Sequence, residues 1–176
     1  VDRVNELSRE FATKKITLDE LQNGLKQISI SIPTFPVWLQ IIGASIVSPT
    51  LMVLFMDDYD WIDFPAAAVI GGLSYGVYLA IKHYTSVRFL SEMLTAIFMG
   101  MITIYTCNIF PNLKVDNILI GSLMPLVPGV AITNALRDLF DGDLLSGIAR
   151  ATESILTAAA LGGGIGIAIK LLWGGM

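Results

Sequence analysis

The stretch NILIGSLMPLVPGVAITNALRDLFDGDLLSGIARATE, residues 117–153, decides the fold, because its apolar first half is interrupted by Pro125, Pro128 and Gly129. Proline inside a hydrophobic helix removes a backbone donor and frees a carbonyl, and hydrocarbon cannot hydrogen-bond that carbonyl. Such a break persists only where protein or a water-filled cavity covers it. The stretch therefore predicts a membrane protein with a polar interior.

Composition supports the same class. The chain is 54% apolar and 15% charged, and its mean hydropathy is +0.69. A helix needs about 20 residues to cross a hydrocarbon core, and five apolar blocks approach or exceed that length: 35–56, 64–81, 89–110, 117–134 and 154–173. The predicted fold is all-α, a polytopic membrane protein with five transmembrane helices, of which the fourth is broken at Pro125 and Pro128.

Ahead of these blocks lies a polar segment, residues 1–32, which predicts short cytoplasmic helices before the five-helix transmembrane domain at 33–176. Leu7 and Phe11 share one face of the first helix. Thr17 and Glu20 have the spacing of a capping box that opens the second helix. So short a pair buries little core, and we expect it to be the tail of a larger amino-terminal region.

Basic residues set the predicted orientation. Most of the 11 lie before the first span, in the second loop or in the fourth loop, whereas the first loop holds four aspartates. The positive-inside bias then makes the amino terminus cytoplasmic and the carboxyl terminus external. The net charge of −4 and the lack of a basic patch argue against nucleic acid as a partner.

Enzyme and metal chemistry find little support. The chain has one cysteine, Cys107, and one histidine, His83, with no Gly-x-Ser-x-Gly sequence and no paired metal-ligand spacing. We expect Cys107 to be buried in the third span and His83 to lie in a loop. No catalytic residue, metal or cofactor is predicted, and an intramembrane enzyme is the least favoured reading.

Charged residues concentrate near the cytoplasmic ends of three predicted spans. They are three acids and three bases: Arg88, Glu92, Arg137, Asp138, Arg150 and Glu153. Arg88 with Glu92, and Arg150 with Glu153, have spacings that allow pairing on one helix face. Two interpretations stay open, a salt-bridge belt that fixes helix register and a vestibule for an anionic or zwitterionic solute.

The break itself suits a carboxylate. A helix that restarts after Pro128 presents free amides and the positive end of its dipole. Thr133 and Arg137 follow on one face with Asn134 beside them, and arginine can hold a carboxylate through two parallel hydrogen bonds. The predicted solute-binding residues are therefore Pro125, Pro128, Gly129, Thr133, Asn134 and Arg137.

Glycine spacing predicts where helices approach closely. Gly72 and Gly76 in the second span, and Gly162 and Gly166 in the fifth, are each four residues apart. The run 162–164 also exposes backbone that could line a pathway. We favour close packing.

Residues 124–143, with the pattern Pro-Gly-x4-Asn-x2-Arg-Asp-x3-Gly-Asp, and the following 146–153 resemble the signature of the bacterial threonine/serine exporter family. Within it the chain is similar to the split form that works with a separate small membrane subunit and is associated with succinate export. The resemblance extends over essentially the whole chain. One departure from the family is the missing amino-terminal portion, which family members usually carry.

That resemblance implies proton-driven export of small amino acids or short dicarboxylates across the bacterial inner membrane. It also implies a five-span partner subunit and an oligomer. In the working hypothesis the solute carboxylate meets Arg137 and the amides after Pro128, while Glu92 or Glu153 exchanges a proton, with Glu92 preferred. The alternative is a non-transporting assembly or regulatory subunit of a transport complex.

Overall fold

The computed structural model describes residues 2–31, 35–56, 60–85 and 87–173, and every regular element in these ranges is helical. The chain divides into two compact units, Val1–Pro36 and Val37–Met176. The two are described separately below.

The amino-terminal unit is a helical hairpin made of α1, Asp2–Ala12, and α2, Leu18–Ser31. The predicted capping box is confirmed: the Thr17 amide donates to Glu20 Oε2 at 2.8 Å, and the Glu20 amide donates to Thr17 Oγ1 at 3.4 Å. The bond from the Thr17 amide holds the pKa of the Glu20 carboxyl below its usual value. The first turn of α2 is thus fixed locally.

The second unit contains the apolar helices. They are α3 Val37–Phe55, α4 Asp63–Tyr84, α5 Arg88–Ile109, α6 Val115–Leu123, α7 Gly129–Phe140 and α8 Leu144–Trp173, with a short 3-10 turn at Met124–Leu126 after α6. Within the described residues four helices are long and apolar enough to cross a membrane, or up to five if the bent pair of α6 and α7 forms one span. α8 begins at Leu144, well before the predicted start at 154.

Close contacts between small residues set the direction of neighbouring helices. A Cβ on Gly76 would lie 3.5 Å from Ile41, and Gly71 is against Ser48, so α3 and α4 run antiparallel. Predicted close packing at Gly72 is confirmed by its contact with Ser45.

In α8 the prediction for the glycines was wrong in detail. A Cβ on Gly164 would lie 2.7 Å from that of Ala96, and one on Gly100 would lie 2.6 Å from that of Ala168, so α5 and α8 run parallel. A Cβ added at Gly162 or Gly166 would have nothing within 4 Å among the described residues. The face that α8 turns toward α5 depends on helix rotation, which glycine spacing alone does not determine.

These directions give the bundle two ends. One end carries the starts of α4 and α6 and the final turns of α3, α5 and α8, and we call it the Asp63 end. The opposite end carries the starts of α5 and α8 and the last turn of α7, and we call it the Arg150 end. Cys107 is 8% exposed, as predicted, in a core cluster with Ile70, Met99 and Ile118.

Candidate functional site

The break between α6 and α7 is a bend of 58°. Neither Pro125 nor Pro128 has an amide hydrogen, so the helical ladder cannot run through them. The Val127 amide instead donates to Met124 O at 3.2 Å, and the Gly129 amide donates to Val127 O at 2.8 Å. α7 then starts in a new direction.

The bend lies where several helices meet. Leu126 forms a buried cluster with Ala96 of α5 and Leu161 of α8, and the half-buried Tyr75 and Tyr78 of α4 pack against it. Leu126 is therefore covered by protein, whereas Val127 and Gly129, on either side of Pro128, are exposed.

Glu92 lies beside this cluster. It is one turn from Ala96 toward the start of α5 and is only 4% exposed. Its neighbours Ser91 and Thr95 are also buried, and the Thr95 hydroxyl donates to Ser91 O at 2.7 Å. An ionisable group in an apolar bundle is costly to charge, which marks Glu92 as a candidate functional residue.

The structure does not gather all the predicted charges into one cluster. Because Ala96 faces Gly164 in a parallel pair, Glu92 is level with Ala160. Glu153 is two turns nearer the start of α8 than Ala160, which puts it roughly 10 Å from the level of Glu92 along the axis. It is half-buried. The side chain of Arg88 lies outside the described residues.

Asp138 and Arg150 do come together. Arg150 Nε pairs with Asp138 Oδ2 at 3.3 Å, and the Ser146 hydroxyl donates to the same oxygen at 2.9 Å. Asp138 is thereby the anchor of α7 on α8. Arg137 pairs with Asp141 at 3.7 Å, and both side chains are mostly exposed.

The turn between α7 and α8 explains much of the predicted signature. Gly142 has φ +86, and the Asp143 amide donates to Asp138 O at 2.9 Å, the arrangement of a Schellman helix end. Asp143 then caps α8, because its Oδ1 accepts the Ser146 amide at 3.3 Å. A Cβ on Gly147 would lie 3.0 Å from the Leu139 amide nitrogen, so the helices meet closely there.

The predicted solute ligands spread along α7. Gly129 is exposed at its start with open space around it. The Thr133 hydroxyl donates to Gly129 O at 3.0 Å. Thr133 and Arg137 share an exposed face, whereas Asn134 is half-buried and Ala135 is turned toward α8. The α7 amino end and Arg137 are two turns apart, roughly 12 Å.

The α7–α8 cleft is unsuited to a carboxylate. It encloses about 260 Å³ and its lining is apolar except for Ser154. The polar elements of α7 therefore face away from this cleft or lie at the ends of the helix. Within the described ranges no group of three or more His, Cys, Asp or Glu is placed to hold a metal ion.

Sequence reasoning missed Asp63. This residue opens α4, is fully buried, and accepts hydrogen bonds from the Lys114 amide at 2.9 Å and Asn117 Nδ2 at 3.0 Å. The sequence indicates Asp63 only as one of the four aspartates of the first loop. The signal that could have found it is an aspartate directly before an apolar helix together with an asparagine in the first turn of another.

Comparison with known proteins gives one positive finding. A family model described as "Putative threonine/serine exporter" (ThrE) matches residues 1–172. The match includes both units and the whole of the broken helix. Neither the curated proteins nor the solved structures yield a match.

Proposed function

Because the chain belongs to the threonine/serine exporter family, we propose that it is a secondary transporter subunit that exports small carboxylate-bearing solutes. It is a multi-pass membrane protein of an exporter family. The solutes proposed are threonine and serine, or a dicarboxylate such as succinate, with transport coupled to protons. The Arg150 end faces the cytoplasm in this proposal, and the bent pair of α6 and α7 is a single span, the fourth of five.

The observation that carries the proposal is the position of Glu92. A nearly fully buried carboxyl group lies one turn from the cluster that holds the broken helix. A buried carboxyl group inside a membrane-spanning bundle is a position at which a proton relay is expected. A group of this kind can link proton movement to a rearrangement at the break.

The solute path runs along α7. A carboxylate first meets Arg137 at the Arg150 end, where the side chain is accessible and only loosely paired with Asp141. It then moves toward the first turn of α7, where the helix dipole has its positive end and where the Gly129 amide already donates to Val127 O. Thr133 and Asn134 lie between these two positions and offer neutral polar contacts.

The α7–α8 hairpin moves as one body in this proposal. Its turn is fixed by the Schellman end at Gly142 and the cap at Asp143, and Asp138 ties the two helices together. The flexible point is instead the 3-10 turn at Met124–Leu126. Changes at Glu92 thus act on the hairpin through Leu126.

The exposed face of α7 supports the partner proposal. Thr133 and Arg137 are exposed and turned away from α8, so among the described residues of the second unit α8 covers the other side of α7. A second five-span subunit would cover the exposed side. The same observation favours the alternative, in which this chain is an assembly or regulatory subunit and the partner alone carries the solute. Solute binding to the purified chain separates the two.

A pair of variants tests the coupling. In proteoliposomes with the partner subunit, Glu92→Gln abolishes efflux driven by a pH gradient while leaving assembly intact. Glu153→Gln is the matched control, since that residue is half-buried and two turns away, and it retains most of the efflux. Normal gradient-dependent efflux by the Glu92 variant removes Glu92 from the mechanism.

A further inference from the structure

Asp63 and Asn117 form a contact that the transport proposal does not use. Asp63 is 0% exposed and Asn117 is 6% exposed. One carboxylate oxygen accepts the backbone amide of Lys114 and the other accepts the Asn117 side chain. The Asp63 side chain of α4 thus binds both the Lys114 backbone, directly before α6, and the Asn117 side chain in the first turn of α6.

A cavity adjoins this contact. It encloses about 410 Å³ between the first turns of α4 and the final turns of α5, and it is lined on its outer rim by the loop that leads into α6. Its volume lies within the range of small-molecule pockets. Thr106 and Asn112 are the polar residues of an otherwise mainly apolar lining.

α6 packs closely against α3 and α4. Its helix is short and is separated from α7 by the bend. Where α6 crosses α3 and α4, the residues in contact are small and the helices lie close together. Ser122 Cα lies 3.6 Å from where a Gly71 Cβ would be, and Gly121 is close to Ser48 O. The hydroxyls of Ser48 and Ser122 are buried and have no hydrogen-bond partner in this arrangement. Because a buried hydroxyl without a partner is costly, these two side chains favour a second position of α6.

We propose that the Asp63–Asn117 contact is the latch of a gate at the Asp63 end, and that its release lets α6 withdraw and opens the cavity to the interior of the bundle. The gate rests on the proposed function, since it serves as the exit through which the exported solute leaves. Asp63 is a positioning residue, because it acts by holding α6. The neighbouring ion pair between Lys114 and Asp60 is largely exposed and contributes little to closure.

The chain provides its own reporter. Cys107 packs against Ile118 of α6 and Ile70 of α4 in the core cluster just inside the latch. It is the only cysteine in the sequence. Withdrawal of α6 uncovers its thiol, so reaction with a membrane-impermeant maleimide added at the Asp63 end measures opening.

Three variants of the reconstituted transporter test the latch. Asp63→Leu removes both acceptors at a similar side-chain volume, and the labelling rate of Cys107 rises about tenfold, as expected for the loss of a buried hydrogen bond. Asp60→Asn is the matched control and labels at the wild-type rate. The exchange Asp63→Asn with Asn117→Asp restores both bonds with donor and acceptor reversed, and labelling returns to near the wild-type rate.

The dependence of Cys107 labelling on solute is a readout that a purely structural contact would leave unchanged. Loading the vesicles with solute accelerates Cys107 labelling in the wild type, and the Asp63→Leu variant labels fast with or without solute. Unchanged labelling in that variant, or failure of the exchange to restore slow labelling, overturns the latch.

Folding and function are controlled separately. If Asp63→Leu does not fold, Asn117→Ala removes only the side-chain bond, and wild-type labelling by this folded variant also overturns the latch. Efflux is measured on the same vesicles. Latch-dependent labelling without transport of any solute contradicts the proposed function alone, whereas transport with labelling insensitive to these variants contradicts the latch alone.

Discussion

Gly164 provides the sharpest test of how α8 is placed against α5. A Cβ at this position would lie 2.6 Å from Met93 O and 3.2 Å from the Ile97 amide nitrogen. These are backbone atoms of a regular helix and cannot rotate away. Gly164→Ala must therefore push the two helices apart, whereas Gly163 has nothing within 4 Å and Gly163→Ala meets open space.

The size of the effect follows from two opposing terms. Overpacking a well-packed interface costs about 1–3 kcal/mol, and the rigid neighbours favour the upper part of that range. Replacing glycine by alanine inside a helix returns up to about 1 kcal/mol. We expect Gly164→Ala to lose about 1–2 kcal/mol and Gly163→Ala to be neutral or slightly stabilising.

Unfolding of the purified protein in mixed micelles, followed by circular dichroism, measures the difference. For a chain of this length about 2 kcal/mol corresponds to a lowering of the melting temperature by about 4–8 °C. Gradient-driven efflux falls as well, because separation of α5 from α8 displaces Glu92. Equal stability of the two variants would refute the parallel packing at Gly164.

Three further outcomes are expected. Arg137→Ala raises the KM for efflux about 10–100-fold, as loss of a charged hydrogen bond to solute implies, while Asp141→Asn, which removes only its exposed partner, leaves KM near the wild-type value. Asp138→Asn lowers stability by about 1 kcal/mol in the same unfolding assay, since its pairing with Arg150 is partly solvent-screened. Because the pKa of Glu20 is lowered, its capping bond stabilises α2 at pH values above the ordinary carboxyl pKa. This stabilisation is lost as the pH falls through the lowered pKa. Hydrogen exchange of α2 shows this pH dependence in the wild type and not in Glu20→Gln.

Local features were the most predictable from sequence. The capping box at Thr17 and Glu20 is formed by residues within one turn, so its spacing is sufficient evidence. The α3, α4 and α5 blocks follow from apolar length alone. α8 was predicted too short because its first turns carry Arg150 and Glu153, and a hydropathy block ends at charges even where the helix continues.

Contacts between distant residues were not predictable in this way. Asp63 meets Lys114 and Asn117, which are more than fifty positions later in the chain. The separation of Glu92 from Arg150 depends on the register between α5 and α8, and Gly164 rather than Gly162 sets that register. One sequence contains the residues of such contacts but not the rotation and offset of the helices.

The most direct test of the central claim is efflux from proteoliposomes that contain this chain and its partner subunit. Vesicles are loaded in turn with labelled threonine, serine and succinate, with and without an imposed pH gradient. The account predicts gradient-dependent loss of at least one of these solutes, and it predicts that Glu92→Gln stops that loss. No loss of any solute from verified folded protein would contradict it.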